Sequence, residues 1–236
     1  MKQKIVIILI LFVNVQVLIS QNTEGYKSQF YHNTAMSEIK NVLNKHNTNT
    51  NYNSIDGTPY ESEEFKVGTI LNLSNNKSYG LLLRYNIYED KLEVKKDEKT
   101  INVLTKDKNF IVKISGKEYV LTNYNINDEN KNGYLELLLK SEKVKLFIRH
   151  KKILRSAKKA QSSYEKDMPA KFITNESFFY QIDDKEILVL PRKKQDVLKL
   201  FSEKSNDIQN YAKKNRLSFK DKEDLIQLFK YYNTLN

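Results

Sequence analysis

The segment Asp128-x-Asn130-x-Asn132-Gly133 carries the first half of a calcium-binding loop, in which oxygen donors at alternate positions wrap a hard cation. The second half does not follow, because the position that should supply a bidentate carboxylate is Leu139. Both flanks alternate like strands, where an EF-hand has helices. The cluster is therefore expected to be a turn that needs unusual backbone angles. The three histidines, His32, His46 and His150, have no cysteine or second histidine at metal-ligand spacing, so a zinc site is not expected. His150 stands among cations, which would disfavour its protonated form and make it a poor general base. There is no Gly-x-Ser-x-Gly elbow and no phosphate-binding loop. Adjacent carboxylates such as Glu63-Glu64 and Asp183-Asp184 would point to opposite faces of a strand. The sequence assigns no catalytic residue, no metal and no cofactor.

The sharpest candidate for function is a basic run. From Lys143 to Lys159 there are cations at Lys143, Lys145, Arg149, Lys151, Lys152, Arg155, Lys158 and Lys159, with no acidic side chain between them. On a strand, Lys145 and Arg149 would point away from the Val144-Leu146-Ile148 face and line one surface. Lys145, Arg149, Lys151, Lys152 and Arg155 are thus candidate contacts for an anionic envelope component or a protein partner. The competing expectation is a solvated edge strand whose lysines discourage aggregation.

Those residues must be held by a scaffold, and its address comes first. Lys2 and Lys4 precede an apolar run from Ile5 to Ile19, and Ser20 stands just before Gln21. This pattern reads as a cleaved export signal over 1–20. A helix spanning a bilayer needs about 20 apolar residues, and this run is shorter and interrupted by Asn14 and Gln16. With no cysteine there is neither a lipid attachment site nor a disulfide, so the core alone must hold the exported body together. No later segment is apolar enough to cross a membrane. The formal net charge is +11, but almost all of it is lysine: Arg84, Arg149, Arg155, Arg192 and Arg216 are the only arginines. Lysine gives a diffuse field, whereas guanidinium gives the planar fork that reads phosphate. Together with export, this argues against nucleic acid as the partner.

Between about 65 and 155 the chain alternates in short segments joined by polar turns, the pattern of an antiparallel meander. A two-residue turn at Ser115-Gly116 sets Val112 against Tyr119 and Phe110 against Leu121, with Lys113 opposite Glu118. Similar turns at Ser141-Glu142 and Glu89-Asp90 pair Leu139 with Val144, Leu137 with Leu146, Leu135 with Ile148, Ile87 with Leu92 and Tyr85 with Val94. A three-residue turn at Asn75 to Lys77 puts Leu73 against Tyr79 and Leu71 against Leu81. Weaker strands are expected near 99–105, 170–181 and 185–190. A sheet this broad must curl into a barrel or fold into two layers to protect its edges.

Helical periodicity flanks this body. Met36, Ile39, Val42 and Leu43 predict a helix from about Ala35 to His46, and an Asn/Thr/Ser-rich linker follows to Asp56. After Pro191, three apolar stripes predict short helices: Val197, Leu198 and Phe201; Ile208, Tyr211 and Ala212; and Leu225, Leu228, Phe229 and Tyr232. Ser218 or Asp221 would cap the last of them. These helices should cover one end or one edge of the sheet. The chain therefore divides into a signal (1–20), an N-terminal helix and linker (21–56), an antiparallel β domain (57–190) and a helical extension (191–236). The fold class is mainly β with an α extension.

The stretches Gly57-Thr-Pro-Tyr60, Tyr79-Gly-Leu-Leu-Leu-Arg-Tyr-Asn-Ile-Tyr-Glu-Asp90 and Gly133-Tyr-Leu-Glu-Leu-Leu138 resemble segments of uncharacterised exported proteins of Gram-negative bacteria. The similarity covers about 55–235. It implies a shared β scaffold and brings no activity and no site residue. The expected function is a non-catalytic protein of the periplasm or medium that binds an envelope component or a partner protein. The alternative is a hydrolase of envelope polymers, which would need carboxylates converging in a cleft.

Overall fold

The computed structural model describes residues 32–45, 52, 54–162 and 164–235. The proposed export signal lies outside them, as does most of the Asn-rich segment. Within them, eleven strands form one continuous sheet and short helices cover part of it, as the alternation and the helical stripes require.

Helix α1, at 32–39, ends earlier than its periodicity predicts, passing through a 3-10 turn at Lys40–Val42 into strand β1 (Leu43–Lys45). Leu43 pairs with Leu104 of β5 (Ile101–Leu104), so the open edge of the sheet claims residues that the helix would otherwise have kept. Between them in the chain lie β2 (Lys66–Asn72), β3 (Lys77–Asn86) and β4 (Lys91–Lys95). The sheet then continues through β6 (Phe110–Ile114), β7 (Lys117–Ile126), β8 (Glu129–Lys140), β9 (Val144–Arg155), β10 (Lys171–Ile182) and β11 (Leu188–Val189).

The strand order is β1-β5-β4-β3-β2-β6-β7-β11-β10-β9-β8, and β8 also pairs with β7. Strand β7 makes this possible by changing partners along one edge. Its first half pairs with β6, from Ile111–Val120 to Ile114–Lys117, and further on Asn125 pairs with Leu188 in parallel. The sheet is neither one full barrel nor two separate layers. It is a curved meander whose last five strands close into a small ring. Tyr124, Leu135, Phe147, Phe179 and Ile187 fill that ring, so it is a packed core and not a ligand cavity.

The hairpins separate what alternation can and cannot predict. At Ser115-Gly116 the expected register is found, with Val112 on Tyr119 and Lys113 on Glu118. Both turn residues have positive φ, 50° and 80°, as a tight two-residue hairpin turn requires. At 87–90 the loop has four residues, not two, and Tyr85 meets Leu92. The slip is even, so the buried face is kept. At 73–76 a four-residue turn pairs Ile70 with Tyr79, an odd slip from the expected register. Ile70 becomes fully buried and Leu73 is left 50% exposed. Gly68 shares Ile70's face and explains the choice: a Cβ there would lie 2.4 Å from the carbonyl of Lys113 and 2.9 Å from Leu83. Only a residue without a side chain fits inward at that point.

In the β8–β9 hairpin the turn lengthens, so Leu139 meets Leu146 and not Val144, and a bulge between Leu137 and Leu139 shifts the register again. Leu135 and Leu137 therefore face the ring, while Leu138 and Leu139 pack against the C-terminal helices. Glu136, not Leu135, comes opposite Ile148. Of the Asn-rich cluster only Asp128 stands in the turn, beside Asn127 and like it at positive φ. Asn130, Asn132 and Gly133 already belong to β8, where Asn130 and Asn132 donate across the hairpin to Asn125 and Asn123 at 2.9 and 2.7 Å.

Helices α2 (Lys194–Lys199), α3 (Ser205–Asn215) and α4 (Lys222–Thr234) lie on a face of the sheet rather than on its edge. Their stripes Val197, Phe201, Ile208, Leu225, Leu228 and Phe229 share a core with Val144 and Leu146 of β9. Asp221 caps α4, accepting from the amides of Glu223 and Asp224 at 3.1 and 3.3 Å. A third core on the sheet's inner face joins Tyr79, Leu81, Leu83, Leu92, Val112 and Tyr119 to Met36 and Ile39 of α1.

Candidate functional site

On strands β7, β8 and β9, beneath the first turn of α4, the fold assembles a cluster of charged groups. Bulging at 137–139 turns Glu136 of β8 inward, and it is only 4% exposed. His150 of β9 offers Nε2 to Glu136 Oε2 at 2.8 Å and Nδ1 to Glu176 Oε1 of β10 at 3.0 Å. Both ring nitrogens thus face acceptors, so both contacts are hydrogen bonds only in the doubly protonated ring. The two carboxylates that flank His150 come from β8 and β10, which the cations beside it in sequence do not reveal.

Glu61 arrives from the segment before β2. Its amide donates to the Tyr85 carbonyl at 3.0 Å, and Tyr60 bridges to Asn86. Arg84 holds the same segment through the Glu63 carbonyl at 2.8 Å. The Arg84 guanidinium lies between the rings of Tyr60 and Phe65, 3.5 and 4.3 Å from their centroids, and donates to buried Glu93 at 2.6 Å. Lys152 completes the anchorage by donating to the carbonyls of Thr58 and Tyr60, both at 2.6 Å. Glu61 is so placed that Lys117 pairs with its Oε1 and the Tyr119 hydroxyl donates to its Oε2.

One atom each of Glu61, Glu136 and His150 lies within 4.8 Å of the others, the donor set of a carboxylate-rich metal centre. The positions around them are already cationic. Lys222, in the first turn of α4, sits 3.1 Å from Glu136 Oε1, and Lys117 lies 3.7 Å from its Oε2. A divalent ion would have to enter against two ammonium groups, so the set fits an ion-pair network better than a metal. Burial alone would raise the Glu136 carboxyl. The hydrogen bonds from His150 and Lys222, with the charge of Lys117, hold it instead at about 2. Burial, with Glu61 beside it, pushes the Tyr119 hydroxyl well above its ordinary range. Neither group is poised to exchange a proton near neutral pH, and the grooves lined by Met36 and by Phe178 do not take in Glu61, Glu136 or His150. The two carboxylates do converge, in an ion-pair network whose Glu136 is buried while Glu61 and Lys117 stay partly exposed.

The basic run is divided by the structure. Lys145 pairs with Asp184 at 2.6 Å, Arg149 lies 5.4 Å over the ring of Tyr124, and Lys152 is engaged with the carbonyls described above. Lys151 and Arg155 stay exposed and, among the described residues, make no ion pair. With Lys158, Lys159 and Lys166 they mark the loop end of the β9–β10 hairpin. Apolar side chains stand out beside them: Tyr164 is 99% exposed, Met168 42%, Ile153 40% and Leu154 39%. The sequence pointed to the cations but not to this apolar company, which depends on where β9 outruns its cover. No helix among the described residues is long and apolar enough to cross a membrane.

Comparison of the chain with protein families, curated proteins and solved structures gives no match.

Proposed function

We propose that this is an exported, non-catalytic protein that docks on the anionic surface of an envelope membrane through the loop end of the β9–β10 hairpin. The observation carrying this reading is the mixture found there. Lys151, Arg155, Lys158, Lys159 and Lys166 share this hairpin with Tyr164 and Met168, all of them exposed, and the loop's two acidic side chains, Asp167 and Glu165, are bonded to the amides of Ala160 and Gln161. Cations draw a protein to acidic head groups, at about 1 kcal/mol each near the surface, and exposed aromatic and aliphatic side chains insert at the boundary. The signal-like N-terminus supports delivery to such a surface. Charge without apolar insertion would serve solubility alone.

The test is co-sedimentation with vesicles of phosphatidylcholine, with and without phosphatidylglycerol. Binding should require phosphatidylglycerol and fall with salt. Changing Lys151, Arg155, Lys158 and Lys159 together to Gln should weaken it about a hundredfold or more. Changing Lys145 and Lys152, which already have partners, should weaken it far less. Equal binding to neutral vesicles, or a quadruple variant that sediments like wild type, would overturn the reading.

A further inference from the structure

A groove of about 650 Å³ opens between β10, β11 and the α3–α4 loop. That volume is within the range of small-molecule sites. Its floor is apolar, with Phe178, Leu190 and Phe219, and its rim carries Arg192 and Lys220. Both cations are exposed, and neither makes an ion pair among the described residues. Glu176 is the one acidic side chain on the lining, and its carboxylate is bonded to His150 Nδ1 at 3.0 Å.

The walls are held in place before any ligand arrives. The Leu190 amide donates to the Phe178 carbonyl at 2.8 Å, tying the strand end that leads to Arg192. Across the groove, Asp224 accepts from the Ser218 amide at 2.8 Å and Ser218 Oγ accepts from the Lys220 amide at 3.1 Å. Lys194, 5.3 Å over the Phe219 ring, adds positive potential on that side. An apolar trough with two unpaired cations in its lining complements a molecule that is apolar along its length and carries an anionic group.

We propose that this groove binds a small single-chain carboxylate. Its head would lie between Arg192 and Lys220, and its chain along Phe178, Leu190 and Phe219. The site is separate from the hairpin end and does not depend on the membrane reading. Decanoate below its micellar concentration is the probe, titrated into the isotope-labelled protein and followed by amide chemical shifts. Inorganic phosphate tests the head alone and 1-decanol the chain alone. Decanoate should saturate, with shifts centred on Phe178, Leu190 and Phe219, and should bind about tenfold or more tightly than either control. Arg192→Gln with Lys220→Gln should weaken decanoate about tenfold while the circular dichroism stays unchanged, since both side chains are exposed. Shifts centred elsewhere, decanol binding as tightly as decanoate, or a double variant with wild-type affinity would each overturn the proposal.

Discussion

Lys222 Nζ stands 3.1 Å from Glu136 Oε1, so the first turn of the last helix is tied to the middle of strand β8 across 86 residues of chain. The same carboxylate takes His150 through its other oxygen, with Lys117 close by. Glu136 is thus the post to which two sheet strands and the helical layer are fastened. Removing one partner of a buried pair leaves the others facing a gap, which is costlier than the pair is worth.

Glu136→Gln is therefore expected to lower unfolding stability by about 3 kcal/mol. Lys222→Gln should cost about 1 kcal/mol, because Lys222 is partly exposed and its loss leaves the other contacts in place. Urea denaturation of the two variants measures both. Equal and small effects would remove Glu136 from this role.

Acid should expose the same dependence. The folded carboxyl of Glu136 sits at about 2, below its ordinary 4.5, so its contribution is fully present above about pH 4.5 and is lost as pH falls through 2. About 3 kcal/mol is at stake over that interval. Urea midpoints collected from pH 5 downward should fall more steeply for wild type than for Glu136→Gln. Parallel profiles would show that the carboxylate is not held as described.

Asp90 guards an opening. Strand β8 pairs with β9 only from Glu136 onward, while β9 beyond Ile148 pairs with β10 alone. In the gap, Asp90 Oδ1 accepts the Tyr134 amide at 3.3 Å and the Tyr85 hydroxyl at 2.8 Å, and Oδ2 accepts Lys106. Asp90→Ala should cost about 2 kcal/mol by leaving a backbone donor unpaired, and Asp90→Asn less. Hydrogen exchange at the Tyr134 amide is the direct readout. It should quicken in Asp90→Ala, and unchanged protection would refute the assignment.

Gly68→Ala offers a sharp steric test. The added carbon would lie 2.4 Å from the Lys113 carbonyl, and backbone must move to admit it. We expect a loss of about 2 kcal/mol or more, against a near-neutral Gly80→Ala, whose Cβ meets nothing within 4 Å. Thermal melts of the two variants would separate them.

Alternation and turn chemistry were enough to specify an antiparallel β body, the Ser115-Gly116 register and the three C-terminal stripes, because each depends on residues a few positions apart. The turn expected over Asp128 to Gly133 shrank to its first residue, because Asn130, Asn132 and Gly133 pair with β7. Loop length elsewhere was not legible: two- and four-residue turns share a composition, and an odd error at 73–76 reverses which residues are buried. The bulge beside Leu138 has no local signature either. It turned Glu136 toward His150, and β10 then brought Glu176 to the same ring, adding two carboxylates that the sequence neighbourhood does not contain. Composition and short-range pattern therefore decided the class of fold. The charged joint, the groove and the partition of the basic run were decided by pairings between distant strands, since only closure of the sheet determines which side chains share a face.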